Sequence, residues 1–89
     1  MHELSLVEAL LERLRALARD HPGMAVSRVE VAVGRDSCCV PATFRFLFTA
    51  LAREEPRMAG ARLELKAAPG SDVVLNRVEL VERGESHVP

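Results

Sequence analysis

The sequence has very few aromatic residues: no Trp, no Tyr and three Phe. A protein that binds single-stranded nucleic acid by stacking bases on its side chains needs more aromatic residues than this. The charges are nearly balanced as well, with 12 Lys and Arg against 13 Asp and Glu and a formal net charge of −1. This balance argues against binding to nucleic acid or to an anionic membrane through bulk charge.

Cysteine and long apolar stretches are also scarce. The two cysteines, Cys38 and Cys39, are adjacent and would bridge only through a strained ring, which excludes a disulfide scaffold. No apolar run approaches the roughly 18 residues of a membrane span, and no segment has the pattern of a signal peptide. We therefore expect a soluble cytoplasmic protein without a membrane or nucleic-acid partner.

What the chain does contain is enough apolar material for one small domain. Its length is 89 residues and 48% of them are hydrophobic, which predicts a packed core. We expect residues 1–82 to form a single domain and residues 83–89 to form a flexible C-terminal tail.

Two segments have the apolar spacing of helices. The first helix is predicted over residues 6–20, with Ser5 to Glu8 as a capping box at its start. The second is predicted from Pro41 to about Glu55, because proline fits the first turn of a helix. Its apolar stripe consists of Phe44, Leu47, Phe48 and Leu51.

Three further segments alternate between apolar and polar residues, as half-buried strands do. They are residues 26–33, 61–67 and 74–81. The link at residues 68–72 is short enough for an antiparallel hairpin between the last two strands. On the inner face we expect Val29, Val31, Val33, Leu63, Leu65, Val74, Val78 and Leu80.

These elements predict an α+β fold of order α-β-α-β-β. Two helices that cover one face of a three-stranded mixed sheet would bury every apolar stripe.

The opening tripeptide carries the clearest chemistry. The α-amine of Met1, the backbone amide of His2 and the imidazole of His2 can chelate one metal ion, and such a nitrogen-rich site suits Ni(II) or Cu(II). For the fourth position the candidates are the amide or the carboxylate of Glu3 and a donor from elsewhere. The alternative is that this histidine has no metal role, as in many chains with histidine at position two.

Met1-His2-Glu3-Leu4-Ser5-Leu6 resembles the opening of the HypA/HybF family of hydrogenase nickel-incorporation proteins. Later segments that resemble the family are residues 29–34, 37–41, 44–48, 60–65 and 76–80. The resemblance covers most of residues 1–82.

This resemblance implies a metallochaperone rather than an enzyme. Family members deliver Ni(II) to the large subunit of [NiFe]-hydrogenase, in some organisms also to urease, and they work with the GTPase HypB. By resemblance, His2 is the main nickel ligand, Met1 binds through its amine, and Glu3 is a ligand or supports the ligands. The alternative function is an adaptor or regulatory module that binds the GTPase or the hydrogenase subunit without delivering metal.

The chain departs from the family at one place. Family members insert a zinc-binding domain with two C-x-x-C pairs between the last two strands, where this chain has only residues 68–72 and no Cys follows Cys39. A tetrahedral four-thiolate site cannot form, and we expect no structural zinc.

The remaining candidate residues have simpler interpretations. Of Cys38 and Cys39, we expect one buried thiol and one turn thiol rather than metal ligands, with a lowered pKa if Cys39 lies at a helix N-terminus. His21 is predicted to be a solvated helix cap and His87 to lie in the tail. Phe46 is on a different face from the apolar stripe and is a candidate for a partner surface. No spacing indicates a catalytic constellation.

Overall fold

The computed structural model describes residues 3–83 and has five elements in the predicted order. They are α1 (Glu3–Asp20), β1 (Met24–Gly34), α2 (Pro41–Ala52), β2 (Arg62–Ala68) and β3 (Val73–Glu82). Both helices contribute to one apolar core on one face of the sheet. The α+β prediction is therefore confirmed. Within the described range, neither helix is long and apolar enough to cross a lipid bilayer.

The sheet has the strand order β2-β1-β3. β1 pairs in parallel with β2 and antiparallel with β3. A parallel pair needs a long crossover connection, and α2 supplies it between β1 and β2. The predicted hairpin between the last two strands is therefore wrong, since β2 and β3 lie on opposite sides of β1.

The link from β2 to β3 passes across the C-terminal end of β1. The backbone N–H of Gly34 donates to the Asp72 carbonyl at 2.8 Å, that of Arg35 to Ala68 at 2.9 Å and that of Asp36 to Gly70 at 2.9 Å. A Cβ atom on Gly34 would overlap the Gly70 carbonyl oxygen and lie 2.8 Å from the Asp72 oxygen. Glycine at position 34 is thus what allows the link to lie so close to β1.

The core confirms most of the predicted apolar stripes. Phe44 and Phe48 of α2 are each 1% exposed, and Leu47 and Leu51 pack partly buried beside them. The inner face of β1 is buried as expected, with Val29, Val31 and Val33 at 0–6% exposure.

The inner face of β3 differs from the prediction at Val74. Val74 is 47% exposed, while Val73 and Leu75 pack against the core. The pairing shifts register between Glu30 and Val31, where Arg77 and Leu75 are the successive partners. The extra residue in β3 reverses which side chains face inward, as a β-bulge does. Val78 and Leu80, beyond the bulge, pack against the core as predicted.

Two predicted helix ends also differ. α1 begins at Glu3, so Ser5 lies inside its first turn and the predicted capping box is wrong. α1 thus begins three residues before the predicted residue 6, at Glu3, whose side chain accepts a hydrogen bond from Val40. α2 ends at Ala52, before the predicted Glu55, because the chain turns there and the Glu55 N–H donates to the Ala52 carbonyl.

Candidate metal centre

Two of the three predicted nickel ligands, Met1 and His2, lie outside the described residues, and Glu3 is the first residue described. Within residues 3–83, no group of three or more His, Cys, Asp or Glu side chains is placed to hold a metal ion. The structure therefore describes the part of the chain to which the predicted ligands Met1 and His2 are attached.

Glu3 joins the N-termini of the two helices. It opens α1, and its Oε2 atom accepts a hydrogen bond from the backbone N–H of Val40 at 2.7 Å. Val40 is the N-cap residue of α2 and makes no side-chain capping hydrogen bond. A carboxylate is favourable here because the unpaired N–H groups at a helix start carry partial positive charge. The end of α1 that follows Met1 and His2 is thus fixed to the start of α2.

The turn before α2 is ordered by Ser37 and Gly34. The Ser37 hydroxyl donates to the Gly34 carbonyl at 2.7 Å and accepts from the Cys39 N–H at 3.2 Å. Cys38 has a positive φ of 63°, a left-handed conformation that is uncommon for a residue with a side chain. These contacts hold the Val40 N–H where the Glu3 carboxylate reaches it.

The two thiols differ in environment. Cys38 is exposed, as expected for a turn thiol, whereas Cys39 is half-buried rather than fully buried and packs against the core. Burial raises the pKa of Cys39, and the nearby Glu3 carboxylate raises it further. A lowered pKa was expected only if Cys39 lay at the helix N-terminus; Cys39 instead precedes the N-cap residue Val40, and desolvation and a negative neighbour both disfavour its thiolate.

A shallow pocket of about 380 Å³ lies beside Cys39, and Arg35, Pro41 and Lys66 also contribute to it. Two of these side chains are cations, which repel a divalent metal ion. The pocket is therefore a poor place for nickel, and Cys39 is poorly placed as a ligand within it.

His21, the one histidine among the described residues, is not near the Glu3 end of α1. His21 is exposed just beyond the far end of α1, and its Nδ1 atom lies 3.0 Å from the Leu17 carbonyl oxygen, which agrees with the predicted cap. The 18 residues of α1 correspond to a length of about 27 Å. His21 is thus too far away to join a site at residues 1–3, and His87 lies outside the described residues.

Comparison with known families now decides the class of protein. The sequence model described as "HypA: Hydrogenase/urease nickel incorporation, metallochaperone, hypA" matches residues 1–73 of this chain. The chain belongs to the HypA family. The match includes the tripeptide, α1, the cysteine turn and α2, and it extends to the start of β3.

Solved structures of HypA proteins have the same fold. The solution structure of the Ni metallochaperone HypA from Helicobacter pylori superposes with a TM-score of 0.70 at 23% identity, covering 86% of this chain and 72% of that one. A second solution structure, of a HypA protein, gives a TM-score of 0.66 at 18% identity and covers 92% of this chain and 93% of that one. Among curated proteins, no sequence matches the chain.

Membership of the HypA family confirms that the chain is of the metallochaperone class and is not an enzyme. The class acts in nickel incorporation for hydrogenase or urease. One contact of the candidate site had no signal in the sequence. Glu3 and Val40 are 37 positions apart, and nothing local to either residue indicates that they meet.

Proposed function

We propose that this HypA protein binds one Ni(II) ion through its N-terminal tripeptide and supplies it for the maturation of [NiFe]-hydrogenase. The ligands are the α-amine of Met1, the amide nitrogen of His2 and the Nδ1 atom of His2. The observation that carries the proposal is the family match, which begins at residue 1 and includes this tripeptide.

The chemistry of the tripeptide fits a carrier. The three nitrogen atoms close one five-membered and one six-membered chelate ring around the metal, and they are already linked covalently. Nitrogen ligands in a tetragonal arrangement suit Ni(II). The His2 amide must lose its proton, so the affinity is expected to rise with pH. A fourth coordination position remains open for a donor from the acceptor protein, so the metal can be transferred to that protein by ligand exchange.

The proposed setting is the cytoplasm, with a HypB-like GTPase and the large subunit of [NiFe]-hydrogenase as partners, or a urease system in their place. Residues 1–82 form the nickel-binding domain in this proposal, and residues 83–89 form a tail. The sequence has no Cys beyond Cys39, so we propose that the domain works without structural zinc.

Isothermal calorimetry with untagged protein that begins at Met1 tests nickel binding. We expect about one Ni(II) per chain at micromolar protein, lost in His2→Ala. His21→Ala is the matched control, because it removes an exposed imidazole from the far end of α1 and is expected to leave binding unchanged. Unchanged nickel binding by His2→Ala would contradict the proposal.

One observation favours the adaptor function as a second candidate. Phe46 is 71% exposed on the side of α2 opposite the buried Phe44 and Phe48. Aromatic residues are enriched in protein–protein interfaces, so Phe46 is a candidate contact for a partner. A pull-down of a HypB-like GTPase with wild type and with His2→Ala separates the two functions. GTPase binding by a wild-type protein with no nickel affinity would favour the adaptor.

A further inference from the structure

Glu3 stands directly after the two proposed chelating residues and takes part in the contact between the helix starts. Its Oε2 atom is 2.7 Å from the Val40 nitrogen, a short distance for an N–H···O hydrogen bond. The bond is exposed to solvent, and its ionised acceptor makes it stronger than a neutral bond in the same place would be. The contact spans 37 positions of the chain, so it fixes tertiary structure and not merely the local helix.

We propose that Glu3 is a positioning residue for nickel: its carboxylate anchors the chelating tripeptide to the Val40 N–H at the start of α2 and does not ligate the metal. The inference rests on the proposed function and adds the role of Glu3 to it. The anchor fixes residue 3, and so limits the directions from which the amine of Met1 and the imidazole of His2 approach a common metal ion.

The geometry favours anchoring over ligation for two reasons. Ligation through Oε2 would leave the Val40 N–H at the N-cap of α2 without this acceptor. Ligation through Oε1 would bring a cation to the positive end of α2, where positive charge is unfavourable. The metal already has three nitrogen donors from Met1 and His2 in the proposed site, so it does not depend on Glu3 to form the chelate.

The two roles differ in what glutamine does at position 3. Its side-chain oxygen can still accept from the Val40 N–H, but an amide is a poor substitute for a metal-bound carboxylate. Glu3→Gln is therefore expected to bind nickel within about threefold of wild type, whereas Glu3→Ala is expected to bind about tenfold more weakly, the lower end for loss of a group that orients metal ligands.

Val40→Pro removes the same hydrogen bond from the donor side and leaves Glu3 in place. Val40 has φ −93° and ψ 109°, which is near the range of proline, so the substitution should be accommodated. We expect Val40→Pro to weaken nickel binding as much as Glu3→Ala does, and the double variant to lose no more than either single one. Glu8→Ala, which removes an exposed carboxylate further along α1, is the control and is expected to behave as wild type.

Calorimetry gives the affinities, and the visible absorption bands of bound Ni(II) report the ligand set. The proposal predicts the same band positions for wild type, Glu3→Gln and Glu3→Ala. Bands that shift in both variants, with Glu3→Gln as weak as Glu3→Ala, would show that Glu3 is a ligand and would overturn it.

Hydrogen exchange in the metal-free protein tests the anchor apart from nickel. The Val40 amide is expected to exchange slowest in wild type, somewhat faster in Glu3→Gln, whose neutral acceptor makes a weaker bond, and at least about tenfold faster in Glu3→Ala than in wild type, as for loss of about 1.4 kcal/mol or more. Equal exchange in all three would refute the anchor even if nickel binds. Slow exchange in a wild type that binds no nickel would instead refute the proposed function.

Discussion

Replacement of Gly34 by alanine should damage the fold far more than one methyl group suggests. Gly34 is the last residue of β1, and the link between β2 and β3 passes directly over it. An alanine Cβ would overlap the Gly70 carbonyl oxygen and lie 2.8 Å from the Asp72 carbonyl oxygen. Both obstacles are backbone atoms, so the link itself must move.

The cost follows from the hydrogen bonds that this movement breaks. Three backbone hydrogen bonds join residues 34–36 to the segment from Ala68 to Asp72. At about 1 kcal/mol net for each bond, their loss lowers the free energy of unfolding by about 3 kcal/mol. Since about 1 kcal/mol shifts the melting temperature of a domain of this size by roughly 4–8 °C, we expect Tm to fall by roughly 12–24 °C.

Urea and thermal unfolding followed by circular dichroism measure this change. Gly60→Ala is the matched control, because no atom lies within 4 Å of a Cβ at that position. The control should unfold within about 0.5 kcal/mol of wild type, as surface substitutions usually do. If Gly34→Ala were as stable as Gly60→Ala, the close packing of the link against β1 would be wrong.

Two further predictions concern α1 and the cysteine turn. Ser5→Ala should leave the free energy of unfolding unchanged or raise it by up to about 0.5 kcal/mol, because Ser5 is an exposed residue inside α1. A decrease of about 1 kcal/mol in urea unfolding would show instead that Ser5 caps the helix. An aromatic disulfide reagent should react quickly with one thiol and slowly with the other, since Cys38 is exposed while burial and Glu3 raise the pKa of Cys39. Cys38→Ser should remove the fast phase, and its persistence would reverse the assignment.

The sequence predicted the features that depend on local periodicity. The apolar spacing of α1 located its buried face and its end at Asp20, and Pro41 marked the first residue of α2. Alternation along β1 predicted which valines are buried, because successive side chains of a strand point to opposite faces.

The features that the sequence did not predict depend on distant residues. A short link suggested a hairpin, but whether β2 lies beside β3 or beside β1 is decided by the crossover through α2. Val74 was assigned to the inner face because a bulge in β3 is visible only against its partner β1. The capping box was predicted from four consecutive residues, whereas the start of α1 lies at Glu3, which bonds to Val40.

The candidate site also has one part that the sequence predicts and one part that it does not. The candidate nickel ligands are predicted from the tripeptide and from the resemblance to the HypA family, both of which are read directly from the sequence. The contact between Glu3 and Val40 could not be predicted, because its donor is a backbone N–H group, and every residue except proline has one.

The most direct test of the central claim is nickel titration of protein with four glycines added before Met1. The addition keeps His2 and every other side chain, but it converts the Met1 amine into an amide and places the histidine sixth from the new amine, too far along the chain to close fused chelate rings with it. A single glycine would not serve, because histidine third from a free amine is itself a strong Ni(II) chelator with four nitrogen donors. We expect the four added glycines to abolish the one-to-one binding proposed for protein that begins at Met1. Equal affinity for Ni(II) in the two proteins would contradict chelation by the N-terminus.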